Sequence, residues 1–507
     1  MSKLKLLIIA LFTAASLLRL ADAFRPIDKG SWRECDLGGI SRNFAREGMN
    51  PLYPRIDWRG DGPGYAEMEA PIFPFLTAIT YKIFGIHDYF GRIWAFLFSV
   101  GALFFFFKLA REYLDPFSSI VAFAFFSLNP LNILTATSIQ PESLMFFAYI
   151  ASVYFFVRWL KNGKGSDYWP AVFMTALTLL AKAPSAHIGL FFGILLIEKH
   201  RWGVIRQGRA WLFGLLSVMP AALWYFHANN LFLIYGNSLG VTNEYHWIGW
   251  DFFTDTDFAS GILRSEFIYV WAIFGVVAGA FAIWRGYGEE TARQSLLWLA
   301  SIFILYLLAA RTTSEDWANY YHVFSFPPAA LLFGLGIKKL RDYAREFADS
   351  FSQHSLPANL ARIFIIFAVV VSVLATLLIE AKQVRANFLN HRVEEPAFAC
   401  AEKLKPLLKN DGLIVTSGEH CVDKKGYQLA YNASFMFYWL DRKGWNICIE
   451  EQSIDRIQDY AVKGARYFIA QKSYLNEKPG FEDELRKNYA VAAECEEFLV
   501  FDLTPNG

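Results

Sequence analysis

Charge is what this sequence has least of. Asp, Glu, Lys and Arg make up 19% of its 507 residues, against about 25% in an average soluble chain. Neither sign dominates: 48 Lys and Arg face 47 Asp and Glu, for a net charge of +1. A nucleic-acid binder would carry a basic surplus. No Gly-x-x-x-x-Gly-Lys-Ser/Thr loop is present, so ATP-driven transport has no support. No Gly-x-Ser-x-Gly elbow is present either. The 34 Gly and 19 Pro follow no fixed period, which excludes collagen-like and repeat folds. The five cysteines form no Cys-x-x-Cys or Cys/His zinc spacing. Four of them, Cys400, Cys421, Cys448 and Cys495, fall late in the chain. They allow either disulfides, in any of three pairings, or free thiols.

Apolar and aromatic residues are abundant. Hydrophobic residues reach 55%, and 49 Phe, 24 Tyr and 16 Trp exclude a disordered coil. A bilayer core needs roughly 20 apolar residues per helix. Stretches at 6–20, 94–109, 117–135, 142–160, 168–180, 186–197, 211–226, 267–283, 296–308, 321–337 and 363–379 suggest about eleven spans. The first reads as an uncleaved helix, although Ala21-Asp22-Ala23 also fits a signal-peptide cleavage site. Residues 71–84 are apolar but short, with two prolines, and read as interfacial or re-entrant. Basic residues such as Arg158/Lys161/Lys164, Lys199/Arg201/Arg206 and Lys338/Lys339/Arg341 fall in alternate loops, which puts the N-terminus inside.

Beyond about residue 384 the apolar runs shorten. Runs at 413–416, 446–449, 467–470 and 497–501 read as buried strands, alternating with helix-like stretches at 395–408, 453–462 and 481–488. That alternation predicts a small α/β domain. The expected architecture is a polytopic α-helical membrane protein of about 11–13 transmembrane helices. Residues 1–383 would form the membrane body, with a large first external loop at 24–70, and 384–507 a soluble extracytoplasmic domain.

Ionisable groups in such a chain are functional candidates by default. In the first external loop, Asp36 opens an apparent short helix, either as a simple N-cap or as an acid stabilised by the helix N-terminus. Glu69 stands at the membrane surface before Pro71. Two carboxylates at one site can hold a divalent cation or orient a hydroxyl nucleophile. Glu142 opens a later span, and Lys182 closes another, where it either snorkels to water or meets a phosphate. A second loop carries Asn243-Glu244-Tyr245-His246-Trp247, and a third carries Arg311 before Tyr320 and Tyr321. Arginine there suits phosphate recognition, because its fork matches two oxygens.

These motifs have a family resemblance. Trp32-Arg33-x-x-Asp36, the run from Asn50 to Trp58, Met68-Glu69-Ala70-Pro71, Gln140-Pro141-Glu142, Leu180-Ala181-Lys182-Ala183-Pro184 and Tyr320-Tyr321-His322 resemble the dolichyl-phosphate-mannose protein mannosyltransferase family. Its bacterial members include aminoarabinose transferases of lipid A. The resemblance implies a C-superfamily membrane glycosyltransferase of hexosyl or pentosyl type. Such an enzyme moves a sugar, with inversion, from a polyprenyl-phosphate donor to a hydroxyl of a lipid, glycan or protein. It would work on the outer face of a bacterial inner membrane, among membrane lipids and without nucleic acid. It implies catalytic roles for Asp36, Glu69 and Glu142 and substrate binding by Lys182; Arg311, His246, Tyr320 and Tyr321 join them as substrate-binding candidates from the external clusters. A zinc site like that of such relatives would need Glu69 and His246. The chain departs from the family where Leu37 follows Asp36 in place of Glu, and where Ala70 replaces a lysine. The alternative reading is a transporter or flippase of a lipid-linked sugar.

Overall fold

The computed structural model describes residues 3–21, 23–29, 31–240, 250–309, 313–350, 356–385, 395–408, 412–424, 426–429 and 432–504. Each of the eleven apolar stretches falls on helix. Among the described residues, six helices are long and apolar enough to cross a membrane, or eight if each of two bent pairs is one span. The remaining three are Lys3–Leu20, which carries Lys3, Lys5 and Arg19, and the shorter Gly165–Ala181 and Ile188–His200. Residues 71–84 form the 13-residue helix Ile72–Phe84.

The contacts divide the chain into two compact units. The first comprises Met1–Ala23, Ala95–Leu223 and Trp247–His391, and its described elements are all helices. Its breaks are written locally. Asp115 caps the Pro116–Leu128 helix by accepting from the Phe117 and Ser118 amides, with Pro116 in the first turn. Asn129 then caps Pro130–Thr137, and the two helices meet at a bend of 58°. Close packing depends on missing side chains in the Phe326–Ser350 helix. A Cβ at Gly334 would lie 2.6 Å from the Ser118 carbonyl, and one at Gly336 only 1.9 Å from that of Ala278. The backbones therefore touch where any larger residue would push them apart.

The second unit comprises Phe24–Trp94, Trp224–His246 and Arg392–Gly507. Its tail holds a five-stranded sheet of β1 (Leu413–Ser417), β2 (Gly444–Ile447), β3 (Ala465–Gln471), β4 (Ala490–Glu494) and β5 (Phe498–Asp502). The order is β2-β1-β3-β5-β4, with β1 parallel to β2 and β3, and β5 antiparallel to β3 and β4. Val415, Phe468, Leu499 and Phe501 fill one face with the helices Ile454–Val462 and Phe481–Asn488. Each such side chain contributes about 1.5–3 kcal/mol on burial. The late cysteines are paired, Cys400 with Cys495 and Cys421 with Cys448.

The first loop packs against this tail. The Trp32–Glu47 helix meets the seven-residue helix Ser434–Leu440. Ser434 Oγ donates to the Trp32 carbonyl at 2.7 Å, Trp439 Nε1 to that of Ile27 at 2.7 Å, and Arg42 Nη1 to that of Tyr438 at 3.0 Å. A Cβ at Gly38 would lie 2.8 Å from Tyr438, so glycine sets this close approach.

Candidate active site

Ser31 caps the Trp32–Glu47 helix, its side chain accepting from the Glu34 amide. Asp36 is therefore inside the helix and is not its N-cap, contrary to the sequence expectation. Buried contacts, not the helix end, define its surroundings. The side chain is 4% exposed. Oδ1 accepts from Trp58 Nε1 at 2.8 Å, while Oδ2 is buried with no hydrogen-bond partner among the described residues. Burial pushes this carboxyl up to about 7; the Trp58 hydrogen bond and the Arg33 charge pull against it, and Asp57 adds to it.

Arg33 lies one turn before Asp36 and grips Glu69, whose two oxygens both accept from its Nη2. Arg33 Nη1 also donates to the Leu239 carbonyl at 3.4 Å. Asp36 and Glu69 thus share an arginine. Glu69 is its counter-ion, and with both oxygens on a guanidinium it does not fit the role of a zinc ligand. His246 and Arg311 lie outside the described residues. Among those described, the one group of three potential metal ligands is Cys421, Cys448 and Glu450, and its two thiols are joined in a disulfide.

A second cluster forms in the helical unit. Glu142, 2% exposed, opens the Glu142–Asn162 helix and pairs through Oε1 with Lys182. Its Oε2 is buried without a hydrogen-bond partner among the described residues. Lys182 ends the Gly165–Ala181 helix in an extended conformation. It does not snorkel: its Nζ lies 4.5 Å and 4.3 Å from the ring centres of Tyr320 and Tyr321, within cation–π range. Both tyrosines belong to the Asp316–Ser325 segment of 3-10 helix. His322 anchors that segment, with Nδ1 2.7 Å from Glu266 and Nε2 2.9 Å from the Thr313 carbonyl. Four of the expected residues, Glu142, Lys182, Tyr320 and Tyr321, therefore meet.

The sequence reading passed over three partners: Trp58, Arg33 as the mate of Glu69, and His322. All three stood inside the quoted motifs, but nothing in their spacing tied them to a carboxylate.

The fold is similar to those of several solved membrane proteins named as glycosyltransferases. It matches the crystal structure of ArnT from Cupriavidus metallidurans bound to undecaprenyl phosphate, with TM-score 0.64 and 13% identity over 98% of each chain. It matches the Archaeoglobus fulgidus oligosaccharyltransferase in its apo form, with TM-score 0.52 and 10% identity over 91% of this chain and 69% of that one. It also matches the mycobacterial arabinofuranosyltransferase AftD, with TM-score 0.52 and 12% identity over all of this chain and 42% of that one. The family model of dolichyl-phosphate-mannose-protein mannosyltransferase matches residues 68–226, in line with the resemblance read from the motifs. The search of curated proteins by sequence gives no match.

Proposed function

We propose that this integral membrane protein is a glycosyltransferase that moves a hexose or pentose from a polyprenyl-phosphate carrier to an acceptor hydroxyl, inverting the anomeric centre. The observation that carries the reading is the fold shared over 98% of both chains with ArnT, crystallised on undecaprenyl phosphate. The matched folds named as an oligosaccharyltransferase and an arabinofuranosyltransferase favour a transferase over a flippase.

In this reading Asp36 is the general base. A buried carboxyl that titrates near 7 takes a proton more readily than an ordinary carboxylate, yet is largely ionised above neutrality. Its unpartnered Oδ2 receives the proton of the acceptor hydroxyl. The oxygen attacks the anomeric carbon opposite the phosphate, the bond from that carbon to the phosphate oxygen breaks, and the electron pair leaves with the carrier phosphate. Lys182 supports that charge as a preorganised cation, with Glu142 and the two tyrosine rings holding its ammonium. Arg311 is a second phosphate contact on the strength of its guanidinium. Glu69 acts by fixing Arg33.

We place the chemistry and the 384–507 region on the extracytoplasmic face of a bacterial inner membrane. Two disulfides in the tail support that side, because cytosolic thiols are kept reduced. The acceptor is a lipid, glycan or protein hydroxyl. The test uses purified protein in liposomes with a radiolabelled panel of undecaprenyl-phosphate hexoses and pentoses and a membrane-lipid extract as acceptor. Label moving from carrier to acceptor supports the transferase. Intact labelled donor that only changes leaflet overturns it in favour of the flippase.

A further inference from the structure

We propose that Trp58 is a positioning residue for Asp36, and that the edge of the C-terminal sheet is the mount that keeps it in place. The inference rests on the reading of Asp36 as the base. Trp58 Nε1 donates to Oδ1 at 2.8 Å, which leaves Oδ2 as the oxygen without a partner. A neutral donor on one oxygen fixes the carboxylate plane without cancelling its charge, so the other oxygen keeps its orientation and its capacity to take a proton.

The indole is bracketed by backbone on both sides. The Gly444 amide donates to the Asp57 carbonyl at 3.1 Å, and the Gly60 amide donates to the Gly444 carbonyl at 2.6 Å. One residue at the start of β2 therefore ties down the residues flanking Trp58. Gly444 pairs with Ile414 of β1; its φ is +154°, and a Cβ there would lie 1.7 Å from the Ile414 carbonyl. Only glycine fits that junction. The Asp57 side chain closes the bracket onto the Asp36 helix, accepting from Arg42 at 3.1 Å and Asn43 at 2.7 Å. Lys443 pairs with Glu47 of the same helix. The backbone that carries Trp58 cannot move away from the Asp36 helix without breaking bonds to the tail.

Among the described residues, two charged groups act on Asp36. Arg33 stands on its own helix and Asp57 on the Trp58 segment. From the Ser434–Leu440 side, Tyr438 is bonded to Asp88, while Asp441 pairs with Arg42 and Arg46. The Ile72–Phe84 helix has one charged residue, the exposed Lys82.

The experiment measures pH–rate profiles of full-length protein in liposomes, with the undecaprenyl-phosphate sugar panel, for wild type, Trp58→Phe, Trp58→His, Asp36→Asn and the Asp36→Asn/Trp58→Phe double variant. Phenylalanine keeps the ring and loses the donor. Its kcat should fall about tenfold, with the donor KM nearly unchanged. Its acid limb should move up by about one pH unit, because the lost hydrogen bond favoured the charged carboxylate. Histidine, with a ring N–H, should bring the limb back toward wild type. The double variant should be no slower than Asp36→Asn alone, since Trp58 acts through Asp36. An unmoved acid limb in Trp58→Phe, or a double variant showing the product of both losses, overturns the positioning role. Wild-type turnover by Asp36→Asn overturns the base assignment itself and this inference with it.

Discussion

Asp36 and Glu142 are both buried, and each has one oxygen held and the other without a partner. Their partners are opposite in kind. Asp36 meets a neutral indole, Glu142 the ammonium of Lys182. A carboxylate set against an ammonium serves as its counter-ion. One set against a neutral donor in a dry place stays free to exchange a proton. The same side-chain chemistry thus sits in two different settings, and the neighbour makes the difference. The frames differ as well. Asp36 is held by a helix, a loop and a sheet edge far apart in sequence, whereas Lys182 is placed by a helix end and a short aromatic segment.

The sharpest way to break this contrast is to neutralise each carboxylate or its partner in turn. Asp36→Asn should lose about 10²–10⁴-fold in kcat, with an unchanged helical circular-dichroism spectrum and melting profile. Lys182→Gln should weaken binding of undecaprenyl phosphate by about 10–100-fold, read by titration calorimetry in detergent. Asp36→Asn should bind that carrier as wild type does. Acidity separates the two further. The base is active when deprotonated, so turnover should fall as pH drops through about 7, while carrier binding should not follow that limb. The smallest effect belongs to the rings beside Lys182. Tyr320→Leu or Tyr321→Leu should each weaken carrier binding several-fold, and a salt titration of the same binding curve should show the electrostatic part intact.

Much of the membrane body was legible because a run of apolar residues has one physical solution in lipid. In the tail, Leu413–Ser417 and Phe498–Asp502 announced themselves as short buried runs. Ala490–Glu494 did not: it is an exposed edge strand, rich in alanine. The run Ser434–Leu440 is apolar for nearly its whole length and could not be told from a strand by period. The start of the Asp36 helix was written in the sequence but overlooked. Ser31 followed by Glu34 is a capping-box spacing, and it puts Asp36 one turn deeper than a cap. Glu142, Lys182 and the tyrosines were found through short motifs next to prolines. The Arg33–Glu69 pair, the Trp58 contact and the disulfide partners were not, because they join residues 22 to 95 positions apart. Only the folded chain supplies such pairings.

The most direct test of the central claim is the pH–rate profile of sugar transfer by purified wild type beside Asp36→Asn. The account requires an acid limb centred near 7 in the wild type and no measurable limb in the nearly inactive asparagine variant. A variant that transfers sugar at the wild-type rate, or a wild-type limb centred near the ordinary carboxylate range of about 4, would contradict it.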